Sequence, residues 1–243
     1  MGKQGGWLGP AVSHQPQDNH LLAALPRAAF ARLLPQLEPV TWECGAVLSA
    51  PDNAMASLYF PTTALVSLVY TMADGATAGM GLIGNDGMVG VPLILGGITT
   101  PHWAIVQVAG GAFQLAATVL HAEWQRGGAL QRVLLRSIQT LLTQIAQTAV
   151  CNQLHPLAKR LCRWLLFIHD RAPTDEVPIT HARLAEIVGA YRESVTVVAG
   201  HLQAAGLIRS ARGSITILDR PGLEAMVCEC YRVVQGEYTR LLG

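Results

Sequence analysis

Residues 179–208, ITHARLAEIVGAYRESVTVVAGHLQAAGLI, spell out two short helices joined by a tight turn. Leu184, Ile187 and Val188 form one apolar patch, closed by Gly189, and Val195, Val198, Ala199 and Leu202 form a second at helical spacing. Between them Tyr191, Arg192, Glu193, Ser194 and Thr196 crowd the start of the second helix. This is the layout of a helix-turn-helix, whose second helix sets its N-terminal residues against base edges in the major groove. Two amphipathic helices joined by glycine also occur in ordinary all-α packing, so the next segment matters. Gly206-Leu207-Ile208-Arg209 leads into SARGSITIL, residues 210–218, which is strand, Arg-Gly turn, strand. A helix-turn-helix followed by a wing carrying Arg209 and Arg212 predicts double-stranded DNA as a partner.

Composition bounds the rest. The chain has 243 residues, 51% hydrophobic and only 14% charged, enough to bury one large or two small cores. Net charge is +1, which by itself suggests no polyanionic partner. Residues 153–243 hold 11 basic and 9 acidic side chains, a net of +2, against −1 for residues 1–152. DNA affinity must therefore come from local clustering and from dimerisation. No N-terminal stretch combines a basic start, an apolar core and a cleavage site, and no apolar run is long enough to span a bilayer. A cytoplasmic protein with no membrane partner is expected. Five cysteines, an odd count, argue against a disulfide framework.

Along the chain, residues 1–19 lack periodicity and are expected to be a flexible tail. Residues 20–38 suit short helices interrupted by Pro26 and Pro35. From Val40 to about Leu120 the segments ASLYF, ALVSLVYTM, AGMGLIG, HWAIVQVA and AFQLAA are short, β-rich and separated by turn signals such as Asp74-Gly75. They predict a sandwich or barrel over 20–120, with a loop at 96–101. Over 121–152 the period changes: Leu130, Leu134, Ile138, Leu141 and Ile145 recur at helical spacing. One helix there would run about 45 Å. Its stripe is expected to pair with its own copy in a homodimer, the alternative being burial against the barrel. Residues 157–171 suit a further helix within a DNA-binding unit at 153–220, and residues 221–243 a C-terminal helix.

This α+β order of β-roll, long dimerisation helix and C-terminal winged helix-turn-helix resembles the Crp/Fnr family of bacterial transcription regulators. The resemblance rests on Ile179-Thr180, Leu184-Ala185, Val188-Gly189, Arg192-Glu193-Ser194-Val195-Thr196, Leu202 and Gly206-Leu207-Ile208. Tyr59-Phe60-Pro61 and the IGNDGMVG stretch at 83–90 add to it. It implies that Arg192 and Glu193 read base edges, an Arg fork suiting guanine and a carboxylate suiting the cytosine amine. Ser194, Thr196 and Thr180 suit phosphates, and His181 could touch the DNA backbone. Val197 stands where the family often has a second base-reading Arg. RNA polymerase and an unknown small-molecule effector are further partners the resemblance implies.

Family members that bind cyclic AMP carry a Gly-Glu pair and an Arg some ten residues on. Here Gly90 is followed by Val91-Pro92, the stretch Thr99 to Trp103 has no Arg, and no Lys or Arg lies between Arg32 and Arg126. Burying a cyclic phosphate without a cation is costly, so the usual cyclic AMP mode is not expected. Cys44 is the only cysteine in the N-terminal half, too few for an iron–sulfur cluster. His102 and His121 lack a partner at metal spacing. Cys228 and Cys230, placed on one helix, would point about 200° apart. No metal or cofactor is expected. The competing reading is a cupin-like metal-binding or enzymatic barrel fused to a helical module. It finds no H-x-H pair and only Glu43 as a Glu in 40–121.

Overall fold

The computed structural model describes residues 14–172 and 174–243; residues 1–13, most of the expected tail, lie outside them. The rest of that segment is part of the fold, contrary to expectation. Pro16–Asp18 form a single 3-10 turn. Asn19 is fully buried and donates to the carbonyls of Pro61 and Gly87 at 2.8 and 2.9 Å. Its Oδ1 accepts from the Leu21 and Leu22 amides and so caps helix α1, His20–Ala23. Helix α2, Arg27–Leu33, follows Pro26.

The strands are β1 (Glu38–Trp42), β2 (Val47–Ser49), β3 (Ser57–Pro61), β4 (Leu65–Thr71), β5 (Thr77–Ile83), β6 (Trp103–Val108) and β7 (Gly110–Ala116). They form two antiparallel sheets, β1-β7-β3 and β2-β6-β4-β5. The Asp74-Gly75 hairpin joins β4 to β5, with Thr71 opposite Thr77. β4 is buried from Leu65 through Val69. Its alternate residues serve two cores: Val66 and Leu68 pack inside the roll, and Leu65 packs with the C-terminal domain. A strand covered on both faces reads as a continuous apolar run, as ALVSLV does. Helix α3, Val91–Leu95, was not foreseen, because a five-residue apolar run carries no decisive period.

The expected single helix over 121–152 is two. Helix α4 spans Ala117–Arg126, the Gly127-Gly128 pair breaks it, and α5 runs Ala129–Leu154, about 39 Å. The stripe assigned to self-association is also corrected. Leu130, Leu134 and Ile138 are buried within their own chain, packed with Leu58, Phe60 and Leu115. Leu141 and Ile145 are half-buried and face a cavity in the roll. The exposed ridge of α5 is different: Leu135, Leu142, Val150 and Leu154. A period seen in sequence shows that a face is buried, not what buries it.

The C-terminal domain begins with α6, Leu157–His169, and continues through β8 (Glu176–Val177), α7 (His181–Val188), α8 (Arg192–Ala204), β9 (Ile208–Ala211), β10 (Ser214–Ile217), α9 (Arg220–Met226) and α10 (Cys230–Leu242). The expected single helix over 221–243 is interrupted at residues 227–229, so Cys228 lies outside either helix. That removes the geometric reason for separating Cys228 from Cys230. α10 lies along α5, joined by Gln139 Nε2 donating to Glu237 at 3.0 Å. No helix of the described residues is long and apolar enough to cross a membrane.

Candidate nucleic-acid interface

Thr180 caps α7, its Oγ1 accepting from the Arg183 amide at 3.2 Å. Gly189 ends the helix with φ +61°, a left-handed conformation that turns the chain at once into α8. Leu184, Ile187 and Val188 of α7 and Val195, Ala199 and Leu202 of α8 are buried. They share one core with Trp164 and Leu165 of α6 and with Ile208 and Ile215 of the wing. This core fixes the rotation of α8 about its axis. Tyr191, Arg192, Glu193, Ser194, Thr196 and Val197 consequently face solvent, with Tyr191 82% exposed. Arg209 and Arg212 are exposed on β9 and the turn that follows, and β8 adds a third strand to the wing.

His181 is half-buried, with both ring nitrogens engaged. Nδ1 lies 3.1 Å from Thr196 Oγ1 and Nε2 lies 3.3 Å from Ser210 Oγ. Thr196 Oγ1 in turn donates to the Arg192 carbonyl at 2.9 Å. The expectation placed His181 and Thr196 on the DNA backbone. In the structure the two groups also link α7, α8 and the wing, and Thr196 stays exposed. Burial, and then the Arg192 charge, lower the His181 pKa from its ordinary 6.5. Ser210 and Gln203, whose Oε1 accepts from the Ser210 amide at 2.8 Å, complete this brace. Sequence reasoning did not single out either, since neither carries a motif.

The C-terminal domain is seated on the β-roll. A β-carbon at Gly79 of β5 would lie 2.6 Å from the Ile187 carbonyl oxygen of α7. Arg171 donates twice to Asp86 in the IGNDGMVG stretch, with Nε 2.8 Å from Oδ1, and its guanidinium lies over the Phe167 ring. Burial alone would lower the Arg171 pKa, but the Asp86 charge outweighs it and leaves the value raised. Gln144 of α5 joins the same strand: its Oε1 accepts from the Leu82 amide at 2.6 Å and its Nε2 donates to the Leu82 carbonyl.

Two cavities flank this seat. One, of about 280 Å³, lies between the two domains. Its charged lining groups already satisfy one another: Arg171 with Asp86, Arg220 with Asp170 at 2.6 Å, and Tyr231 with Asp170 at 3.1 Å. The other, of about 170 Å³, lies inside the roll between α3 and α5. Leu68, Met88, Val91, Leu95 and Ile138 line it, with Ser49, Thr100 and His102 as its polar groups. No Lys, Arg, Asp or Glu is among its described lining residues. His102 sits 2.5 Å from Thr100 Oγ1, and burial lowers its pKa below 6.5, so it brings no full positive charge at neutral pH.

Comparison with known proteins converges on one family. Residues 159–226 match the Crp-like helix-turn-helix domain. Over 91 residues the chain is 34% identical to the transcriptional regulator SdrP of Thermus thermophilus. That match covers 37% of this chain and 43% of the relative, so it spans less than half of either. Among solved structures, FixK2 from Bradyrhizobium japonicum superposes with a TM-score of 0.69 at 14% identity, covering 79% of this chain and 98% of that one. A putative Crp/Fnr-family regulator from Eubacterium rectale gives 0.65 at 19% identity, covering 85% and 96%. At these identities the structures speak for the fold, and the domain match for the helix-turn-helix. The chain thus shares the fold of these Crp/Fnr-family structures and carries, at residues 159–226, a Crp-like helix-turn-helix domain.

Proposed function

We propose that this protein regulates transcription as a homodimer that binds a pseudo-palindromic DNA site without cyclic AMP. The observation that carries the reading is the presentation of Arg192, Glu193 and Ser194 on the open N-terminal half of α8, whose opposite face is locked into the core. In this reading Arg192 pairs with guanine O6 and N7, and Glu193 accepts from cytosine N4. Ser194, Arg209 and Arg212 supply phosphate contacts that set register. Two recognition helices related by a dimer axis enter major grooves about 34 Å apart. The exposed ridge Leu135, Leu142, Val150 and Leu154 supports self-association.

The roll cavity supports the second half of the reading. An anionic cyclic phosphate there would lose its hydration and meet no basic lining residue. The cavity instead suits a neutral, largely apolar effector. Selection of a randomised DNA pool on the ligand-free protein tests both halves. Enrichment of a two-fold symmetric site that cyclic AMP neither sharpens nor shifts is the expected outcome. An asymmetric site, no site, or a strict need for cyclic AMP would overturn it.

A further inference from the structure

The break between α9 and α10 brings four soft ligands together at the far end of α5. Cys151 and His155 stand one helical turn apart there, Cys228 lies in the break, and Cys230 is the first residue of α10. One ligand atom from each of the four lies within 4.8 Å of the others. Cys151 and Cys228 have their sulfurs 3.5 Å apart, and Cys230 Sγ is 3.7 Å from His155 Nδ1. At Zn–S of about 2.3 Å and Zn–N of about 2.0 Å, neighbouring ligands of a tetrahedral ion are roughly 3.5–3.8 Å apart. Those two pairs already have that spacing, and all four ligand atoms lie within 4.8 Å of one another.

Two surrounding groups fit the same chemistry. His155 Nε2 lies 3.5 Å from a Glu229 carboxylate oxygen, so Nδ1 faces the sulfurs while the second ring nitrogen faces a carboxylate. A carboxylate behind a ligating imidazole fixes its tautomer and raises its basicity. Arg163 is fully buried within electrostatic reach of all three sulfurs. It makes one hydrogen bond, to Thr148 Oγ1, while its Nε and Nη2 have no partner among the described residues. A buried cation calls for an anion. Three thiolates and a neutral imidazole around a divalent ion carry one net negative charge.

We propose that Cys151, His155, Cys228 and Cys230 form a closed tetrahedral site for a thiophilic divalent ion, zinc by ligand type, that fastens the α9–α10 break to the end of α5. Four protein ligands leave no open position, so the site is structural. Binding displaces the three thiol protons to solvent and no redox change occurs.

The test is metal loading of the full chain, purified under reductant without oxygen. One zinc per chain by elemental analysis is expected. Titrating stripped protein with Co²⁺ alone should then give tetrahedral d–d bands and thiolate-to-cobalt charge transfer that saturate at one equivalent. Cys44→Ser should leave both unchanged. Cys230→Ser should abolish the three-thiolate spectrum, and Glu229→Gln, which keeps all four ligands, should weaken Co²⁺ affinity about 10- to 100-fold. No saturable spectrum with reduced, folded wild-type protein would overturn the site. So would a Cys151–Cys228 disulfide that forms equally fast with and without Zn²⁺, or a spectrum that survives Cys230→Ser.

Discussion

Gly79 of the β-roll and Ile187 of the first helix of the helix-turn-helix touch backbone to backbone, and nothing larger than hydrogen fits between them. Gly79→Ala places a methyl 2.6 Å from the Ile187 carbonyl, and neither partner is a flexible side-chain end that can move aside. We expect a loss of about 1–3 kcal/mol, the usual range for overpacking. Denaturant unfolding should show it, and limited proteolysis should cut between the domains while each stays folded.

Arg192→Ala should weaken binding to the selected DNA site by about 1–3 kcal/mol and relax one base position, while Arg212→Ala should weaken all sequences alike and flatten the salt dependence. Repeating the pool selection with each variant separates the two. Unchanged specificity in Arg192→Ala would remove α8 from the role of reader.

Asp86→Ala leaves the Arg171 guanidinium, only 6% exposed, without its carboxylate. Removing one partner of a buried pair costs about 3–5 kcal/mol. The pairing joins the two domains, so the loss should lower the melting temperature of the whole chain. Asp86→Asn, which keeps one hydrogen bond, should recover part of it.

His181 gives a pH signature. Its folded pKa is depressed, so the unfolded chain takes up the proton first as pH falls. The stability it contributes is complete above the unfolded value of 6.5 and declines as pH drops through the lower folded value. The expected readout is a stability slope below pH 6.5 in the wild type that is shallower in His181→Gln. An NMR titration should place the imidazole below 6.5.

Leu142 is 61% exposed at the centre of the α5 ridge. Leu142→Arg should give a folded monomer in sedimentation equilibrium, with the far-UV spectrum unchanged. Leu134→Ala should instead unfold the chain by about 2–5 kcal/mol with no specific effect on association, because Leu134 is core.

What the sequence revealed follows the strength of its local periods. Leu184 to Leu202 and the Arg212-Gly213 wing turn are dense in short-range signals, and that region folds as its pattern indicates. The period through Leu130, Leu134 and Ile138 is equally strong, yet a helix period records a buried face and is silent on the partner, which here is Phe60 and Leu115 of the same chain. The link His181 makes is not legible in the sequence, because its neighbours in space, Thr196 and Ser210, are 15 and 29 residues away. The gathering of Cys151 with Cys228 depends on a break at 227–229 that no proline or glycine marks.

The packing of α10 and the β-roll against α5 also bears on the proposed homodimer. Two flanks of that rod are occupied by the chain's own segments, and the exposed apolar residues Leu135, Leu142, Val150 and Leu154 are left on the remaining side. A lone self-complementary ridge is used up once it meets its copy across a two-fold axis. If the proposed homodimer forms along it, the contact is closed and isologous, with no free end from which a fibre could grow.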